Sequence, residues 1–264
     1  MVFTSFPFLA FLAAAVAVYY IVPMRRYREL LPSGKRVNAQ RHTGALHPRG
    51  FILLLASIVF YLFAGWQKLI FVLCTALFAW LCSRRMIRLY NEMDEALKGI
   101  TERKEKAVLQ VRYRKRCRRM VVFAIVVVLL IYGYCKYFGS LLSGLYCALT
   151  GSVNAWDIIA PLGLSYYTLS IIGYLLDVYW RKQQHEQSIP LFLLCVLYFP
   201  HILQGPIARY RELRKEFLQE SPFSWDHFCR GIQLILWGFF KKLVIADRLN
   251  IFVTGVVDNY QIHQ

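Results

Sequence analysis

The sequence predicts an all-α, polytopic integral membrane protein, and three observations carry that prediction. Of its 264 residues, 58% are hydrophobic and 18% charged, against about 45–50% and about 25% in soluble domains. Mean hydropathy is positive, at +0.41. The charges are also blocked rather than spread: long uncharged stretches alternate with dense basic ones. About 20 apolar residues cross the hydrocarbon of a bilayer, so such blocking reads as about six to eight membrane helices.

The elements follow in order. Phe3 to Val22 is uncharged and ends before Arg25. No positive region precedes it, which argues against a cleaved signal peptide. Phe51 to Trp66 and Leu69 to Ser83 are short runs separated by Lys68, and they predict a tight hairpin turning near Gly65 and Trp66. Met120 to Cys135 is stopped by Lys136. Phe138 to Trp156 is weaker, with three glycines. Ile158 to Leu176 is bracketed by Asp157 and Asp177. Ile189 to Ile207 is interrupted by prolines, and Ile232 to Val257 is crossed by "KKLVIADRL".

Basic residues set the orientation, because they collect in cytoplasmic loops. Seven Lys and Arg lie between Arg25 and Arg49, thirteen between Arg84 and Arg119, and none from Gly139 to Ala155. The N-terminus is therefore expected outside and both basic stretches inside. The segment 84–119 also has an apolar stripe, Met86, Tyr90, Met93, Leu97 and Ile100, at helical spacing. It reads as a basic amphipathic cytoplasmic helix lying against anionic lipid rather than as a nucleic-acid surface, so no nucleic-acid partner is expected.

Soluble-enzyme patterns are absent. The seven cysteines are scattered without a CxxC pair, no two histidines stand at metal-ligand spacing, and neither a phosphate loop nor a GxSxG elbow occurs. No metal and no bound cofactor are expected.

The stretch "YFPHILQGPIARYREL" carries more information. Proline removes a backbone donor and clashes with the preceding turn, and a broken helix at membrane depth must face protein or a water-filled cavity. Two readings stay open for it. One is a re-entrant hairpin lining a cavity for a polar ligand, shaped by Pro200, Gly205 and Pro206 with His201, Gln204 and Arg209 as polar groups. The other is a kinked span whose His201 is satisfied by a neighbouring helix. Among the other charges, Asp177 at a span end is expected to pair with Arg181 one turn on. Lys241 and Lys242 either snorkel to the surface or act within the membrane, and Asp247 marks either an interface or a site.

Five blocks, "MVFTSFPFLAFLAAAVAVYYIVP", "LLLASIVFYLFAGW", "PLGLSYYTLSIIGYLLDVYW", "YFPHILQGPIARYREL" and "GFFKKLVIADRLN", resemble in content and order the membrane-bound O-acyltransferase family, in its alginate O-acetylase-like branch. The resemblance covers the chain from Met1 to about Asn250. It implies an enzyme that carries an acyl group, acetyl in the first instance, from a cytoplasmic donor through a tunnel to a hydroxyl on an extracytoplasmic acceptor. The donor would be acetyl-coenzyme A or a carrier-protein thioester, used as co-substrate. The acceptor would be a polysaccharide, a cell-wall polymer or a small secreted molecule, with an extracytoplasmic partner passing the acyl group onward. The setting would be a bacterial cell membrane.

By the same resemblance, the proline-broken stretch is the family's re-entrant element, and residues 1–264 form one transmembrane domain that is the N-terminal part of a larger fold. The family's catalytic histidine is expected beyond Gln264. His263 and His201 do not match its context, so neither is assigned a catalytic role, and these 264 residues alone are expected to be inactive. A transporter or channel using the broken helix as its site and a non-catalytic membrane scaffold are the alternatives. The first would show internal symmetry between halves, and none is evident.

Overall fold

The computed structural model describes residues 6–22, 46–100, 102–138, 161–183, 185–205, 209–219 and 223–262, with the side chains of 203, 204 and 258–262 outside that description. Among the described residues the protein is all-α. Helices α1 (Phe6–Ile21), α2 (Pro48–Ala64), α3 (Trp66–Lys98), α4 (Arg103–Gly133), α5 (Leu164–Tyr179), α6 (Ile189–Leu197), α7 (Phe199–Gln204), α8 (Tyr210–Leu218), α9 (Trp225–Phe240) and α10 (Asp247–Ile262) follow in chain order. Wider π-type turns extend α4 through Tyr134–Phe138 and join α9 to α10 through Lys241–Ala246. The connection 139–155 and most of the first basic stretch lie outside the described residues.

The chain divides into two compact units, Met1–Tyr20 with Glu220–Gln264, and Ile21–Gln219. In the first, α9, the π-type turns and α10 run on as one helical stretch, and the Tyr20 and Phe223 rings meet edge to face at 5.1 Å. Large apolar side chains along this stretch are exposed, Leu234 at 71% and Phe252 at 72%.

The second unit is built around α3. Gly65 forms the predicted hairpin turn at φ +125°, a conformation open to glycine, with its amide bonded back to the Tyr61 and Leu62 carbonyls at 3.1 Å. Beyond it α3 runs for 33 residues and packs against α4. Buried Ala76, Ala79 and Ala124 let these backbones approach closely. Helix α5 packs on α3 and α4, and α6 lies against α2. Among the described residues, Trp66–Lys98 and Arg103–Phe138 are long and apolar enough to cross a membrane, and Phe6–Ile21, Pro48–Ala64 and Ile189–Ile202 are shorter apolar helices.

The basic segment 84–119 departs from expectation. Its apolar stripe is not turned to lipid: Met86 is fully buried in the main core, and Tyr90 and Met93 are buried with Cys117 of α4, Leu97 and Tyr113 packing alongside. Both helices continue without interruption from their apolar runs, so the stripe is the seam of an antiparallel helix pair.

Candidate functional site

The predicted break is present. Ser188 caps α6, its hydroxyl accepting from the Leu191 amide at 3.5 Å, and α6 ends at Leu197. Tyr198 leaves helical geometry (φ −55°, ψ 106°), and α7 restarts at Phe199 with Pro200 in its first turn, where a missing N–H costs nothing. The amide of Phe199 donates to the Ser57 hydroxyl of α2 at 3.3 Å, and that hydroxyl donates to the Leu53 carbonyl at 2.8 Å. Ser57 is fully buried. A single serine in an apolar helix thus supplies a partner for one backbone amide at the break.

A second support comes from before α5. Gly163 sits at φ +66°, and a Cβ there would fall on the carbonyl oxygen of Ile202 in α7. Next to it, the Leu162 carbonyl accepts from the Tyr61 hydroxyl at 3.1 Å. Helices α2 and α5 therefore grip the broken element from two sides.

Glu186 closes its base. Its carboxylate is 2% exposed, accepts from the Arg214 guanidinium and, at 3.2 Å, from both the Tyr210 hydroxyl and the Ser188 amide. Its own amide donates to the Tyr174 hydroxyl at 3.1 Å, and its carbonyl accepts from the Trp80 indole at 2.8 Å. Beside it, His185 Nδ1 lies 2.8 Å from the Ser83 hydroxyl, and the ring packs on Trp80. Burial lowers the His185 pKa to about 4, and nearby Arg84 adds to the effect while Glu186 opposes it. Burial pushes the Tyr210 hydroxyl far above its ordinary range. One acid thus joins the chain before α6 to the helix that follows the break.

The predicted residues divide. Pro200, His201 and Gly205 lie together at the break. The His201 ring is half-buried against Tyr198 at 5.2 Å, and its buried Nδ1 has no hydrogen-bond partner among the described residues. Gly205 donates to the His201 carbonyl at 3.2 Å, and a Cβ there would stand 2.7 Å from His201 Cα. The Gln204 side chain and all of Pro206 lie outside the described residues. Arg209 caps α8 with its carbonyl and is exposed. Asp177 is half-buried at the end of α5, but Arg181 takes a different partner: at φ +56° it turns back over the Tyr90 ring and bonds Asp94 at 3.2 Å. In the other unit, Lys242 pairs with Asp247 and Lys241 lies over the Trp237 ring. Among the described residues, no group of three or more His, Cys, Asp or Glu could hold a metal ion.

Ser57, Gly163, Glu186 and Arg214 were not singled out by the sequence. A serine inside "LLLASIVF" and an acid directly before a proline-started helix were visible signals, but the 28 residues between Glu186 and Arg214 hid their pairing.

The chain is similar in sequence to known proteins. Over 256 residues, 95% of the chain, it is 27% identical to the protein named Probable alginate O-acetylase AlgI of Pseudomonas syringae pv. tomato, covering 41% of that protein. The protein of the same name from Azotobacter vinelandii is 29% identical over 94% of the chain and 42% of its own length. The Peptidoglycan O-acetyltransferase of Helicobacter pylori is 26% identical over 44% of the chain and 27% of its own length. The chain thus spans about two fifths of the length of the alginate O-acetylase relatives it matches. No family model matches it, and no solved structure does.

Proposed function

We propose that this chain, similar over nearly its whole length to proteins named Probable alginate O-acetylase AlgI, is a member of the membrane-bound O-acyltransferases and forms part of an enzyme transferring acetyl groups to hydroxyls of an extracytoplasmic polysaccharide or cell-wall polymer. The observation that carries this reading is the proline-broken element, braced by Ser57 and Gly163 and closed at its base by Glu186. Bracing of this kind gives a break in the membrane interior its protein partners, and it leaves His201 and Gly205 beside an interrupted backbone where a polar ligand can approach.

In this reading the protein crosses the cell membrane six to eight times with its N-terminus outside. Residues 189–209 enter and leave from the cytoplasmic face, where the acetyl-coenzyme A or carrier-thioester donor is met. Attack by the acceptor hydroxyl needs a base to take its proton and donors for the developing oxyanion. These chemical groups are assigned to the part of the enzyme that the relatives carry beyond the matched region. The present chain supplies the scaffold and part of the acyl path.

The test is transfer in membrane vesicles that contain the whole native protein together with cytosol and an isotopically labelled acetyl donor. Base-labile label on an envelope polymer supports the proposal. Facilitated passage of a solute without ester formation favours the transporter reading.

A further inference from the structure

The two long helices carry a pattern of charge that acyl transfer does not require. Packing of Tyr90 and Met93 on Cys117 and Tyr113 places α3 and α4 antiparallel and in register, Tyr90 level with Cys117. In that register the apolar runs end within about one helical turn of each other, at Ser83 on α3 and at Met120 on α4. Immediately beyond that level stand Arg84, Arg85 and Arg88 of α3 and Arg116, Arg118 and Arg119 of α4, all exposed. No Asp or Glu occurs in 83–91 or 116–122. Farther out, residues 92–115 hold seven basic and five acidic side chains, so the excess charge there is only +2. The concentration of unpaired charge is therefore a collar at the membrane boundary, not a feature of the projecting tip.

The chemistry of the collar is specific. All six groups are arginines, whose planar guanidinium matches phosphate oxygens bidentately, where lysine offers a point charge. Among the described residues none of the six takes part in an ion pair. Two lie over aromatic rings, Arg84 over Trp80 at 5.4 Å and Arg116 over Tyr113 at 5.8 Å, which fixes their height along the helices. Nearby Arg181, by contrast, is neutralised by Asp94. Exposed Trp180, with Lys182 over its ring, marks the same level with a residue enriched at membrane interfaces.

We propose that this arginine collar binds the phosphates of anionic phospholipid headgroups in the cytoplasmic leaflet, with phosphatidylglycerol as the representative ligand. The inference rests on the reading that α3 and α4 cross the bilayer. A soluble acidic partner or a nucleic acid would meet the projecting tip first, and the tip is nearly balanced in charge. A headgroup meets the collar directly, within the ~8 Å over which such attraction survives at physiological salt.

The test is native mass spectrometry of the whole protein, released from nanodiscs of equal phosphatidylglycerol and phosphatidylcholine. Three forms are compared: the unaltered protein; a variant with Arg84, Arg85, Arg88, Arg116, Arg118 and Arg119 each →Gln; and one with Lys98, Arg103, Lys104, Lys106, Arg112 and Arg114 each →Gln. The unaltered protein and the tip variant are expected to retain phosphatidylglycerol preferentially. The collar variant should lose that preference by at least about tenfold, since each basic group near an anionic surface favours it about fivefold. The same six positions changed Arg→Lys should keep part of the preference, which separates loss of charge from misfolding. Free inorganic phosphate should not displace the lipid.

Equal retention of both lipids by the unaltered protein, an unchanged collar variant, equal loss in both variants, or displacement by phosphate would each overturn the inference. Extraction of the protein from membranes by alkaline carbonate would overturn the membrane reading as well. Failure of lipid preference in a protein that resists extraction would overturn the collar alone.

Discussion

Glu186 and Arg214, 28 residues apart, form an ion pair that fastens the chain before the proline break to the helix after it. The acid is almost wholly buried and the guanidinium about a quarter exposed. Removing one partner of such a pair strands the other. Arg214→Met leaves a buried carboxylate and should cost about 3 kcal/mol, while Glu186→Gln leaves a partly wetted cation and should cost about 1–2 kcal/mol. A double-mutant cycle read by thermal unfolding in detergent checks this, and the double variant Glu186→Gln/Arg214→Met should recover part of the loss.

The same pairing brings both ends of the broken element together. A cysteine introduced for Ser188 and one for Arg209 should therefore react with a membrane-impermeant thiol reagent from the same side of the membrane. Labelling from opposite sides would make residues 189–209 a crossing helix.

Ser57 holds the amide of Phe199 at 3.3 Å. Ser57→Ala leaves that donor without its partner and should destabilise by about 1–3 kcal/mol. Ser57→Thr retains the hydroxyl and should lose less. The shift in unfolding temperature between the two variants reads the difference.

Gly163→Ala meets two obstacles at once. A left-handed backbone costs a non-glycine residue about 1–2 kcal/mol, and the added Cβ falls on the Ile202 carbonyl. Transfer activity of the whole enzyme should fall by more than the loss of folded protein explains, because the displaced residue belongs to the broken element.

His185 gives the pH dependence a sign. Its folded pKa is lowered to about 4, whereas an unfolded chain takes up the proton near 6.5. Below that value unfolding binds a proton that the folded state refuses, so stability falls from about pH 6.5 toward pH 4. His185→Gln should flatten that limb of the stability profile while leaving stability at pH 8 little changed.

Much of this arrangement was legible in the sequence because membrane helices are written in runs of apolar residues. The hairpin at Gly65, the all-α class and the break at Pro200 follow from local rules about hydropathy, glycine and proline. The orientation of the 84–119 stripe was not legible, because an apolar stripe reads alike whether lipid or a second helix covers it. Only the antiparallel approach of Cys117 and Tyr113 decides the matter. Likewise Asp177 and Arg181 have helical pairing distance, yet the positive φ at Arg181 ends the helix and hands the cation to Asp94. The bracing residues around the break escaped for the same reason: Ser57, Gly163 and Glu186 act across the fold, and nothing in their own neighbourhoods names their partners.

We propose, then, that this chain belongs to an enzyme that esterifies an extracytoplasmic polymer. The most direct measurement compares base-labile acetyl groups on envelope polymers in cells with the intact gene, without it, and with the gene restored. Loss on deletion and return on restoration is the predicted result. An unchanged ester content in all three, with the protein present in the membrane, would contradict it.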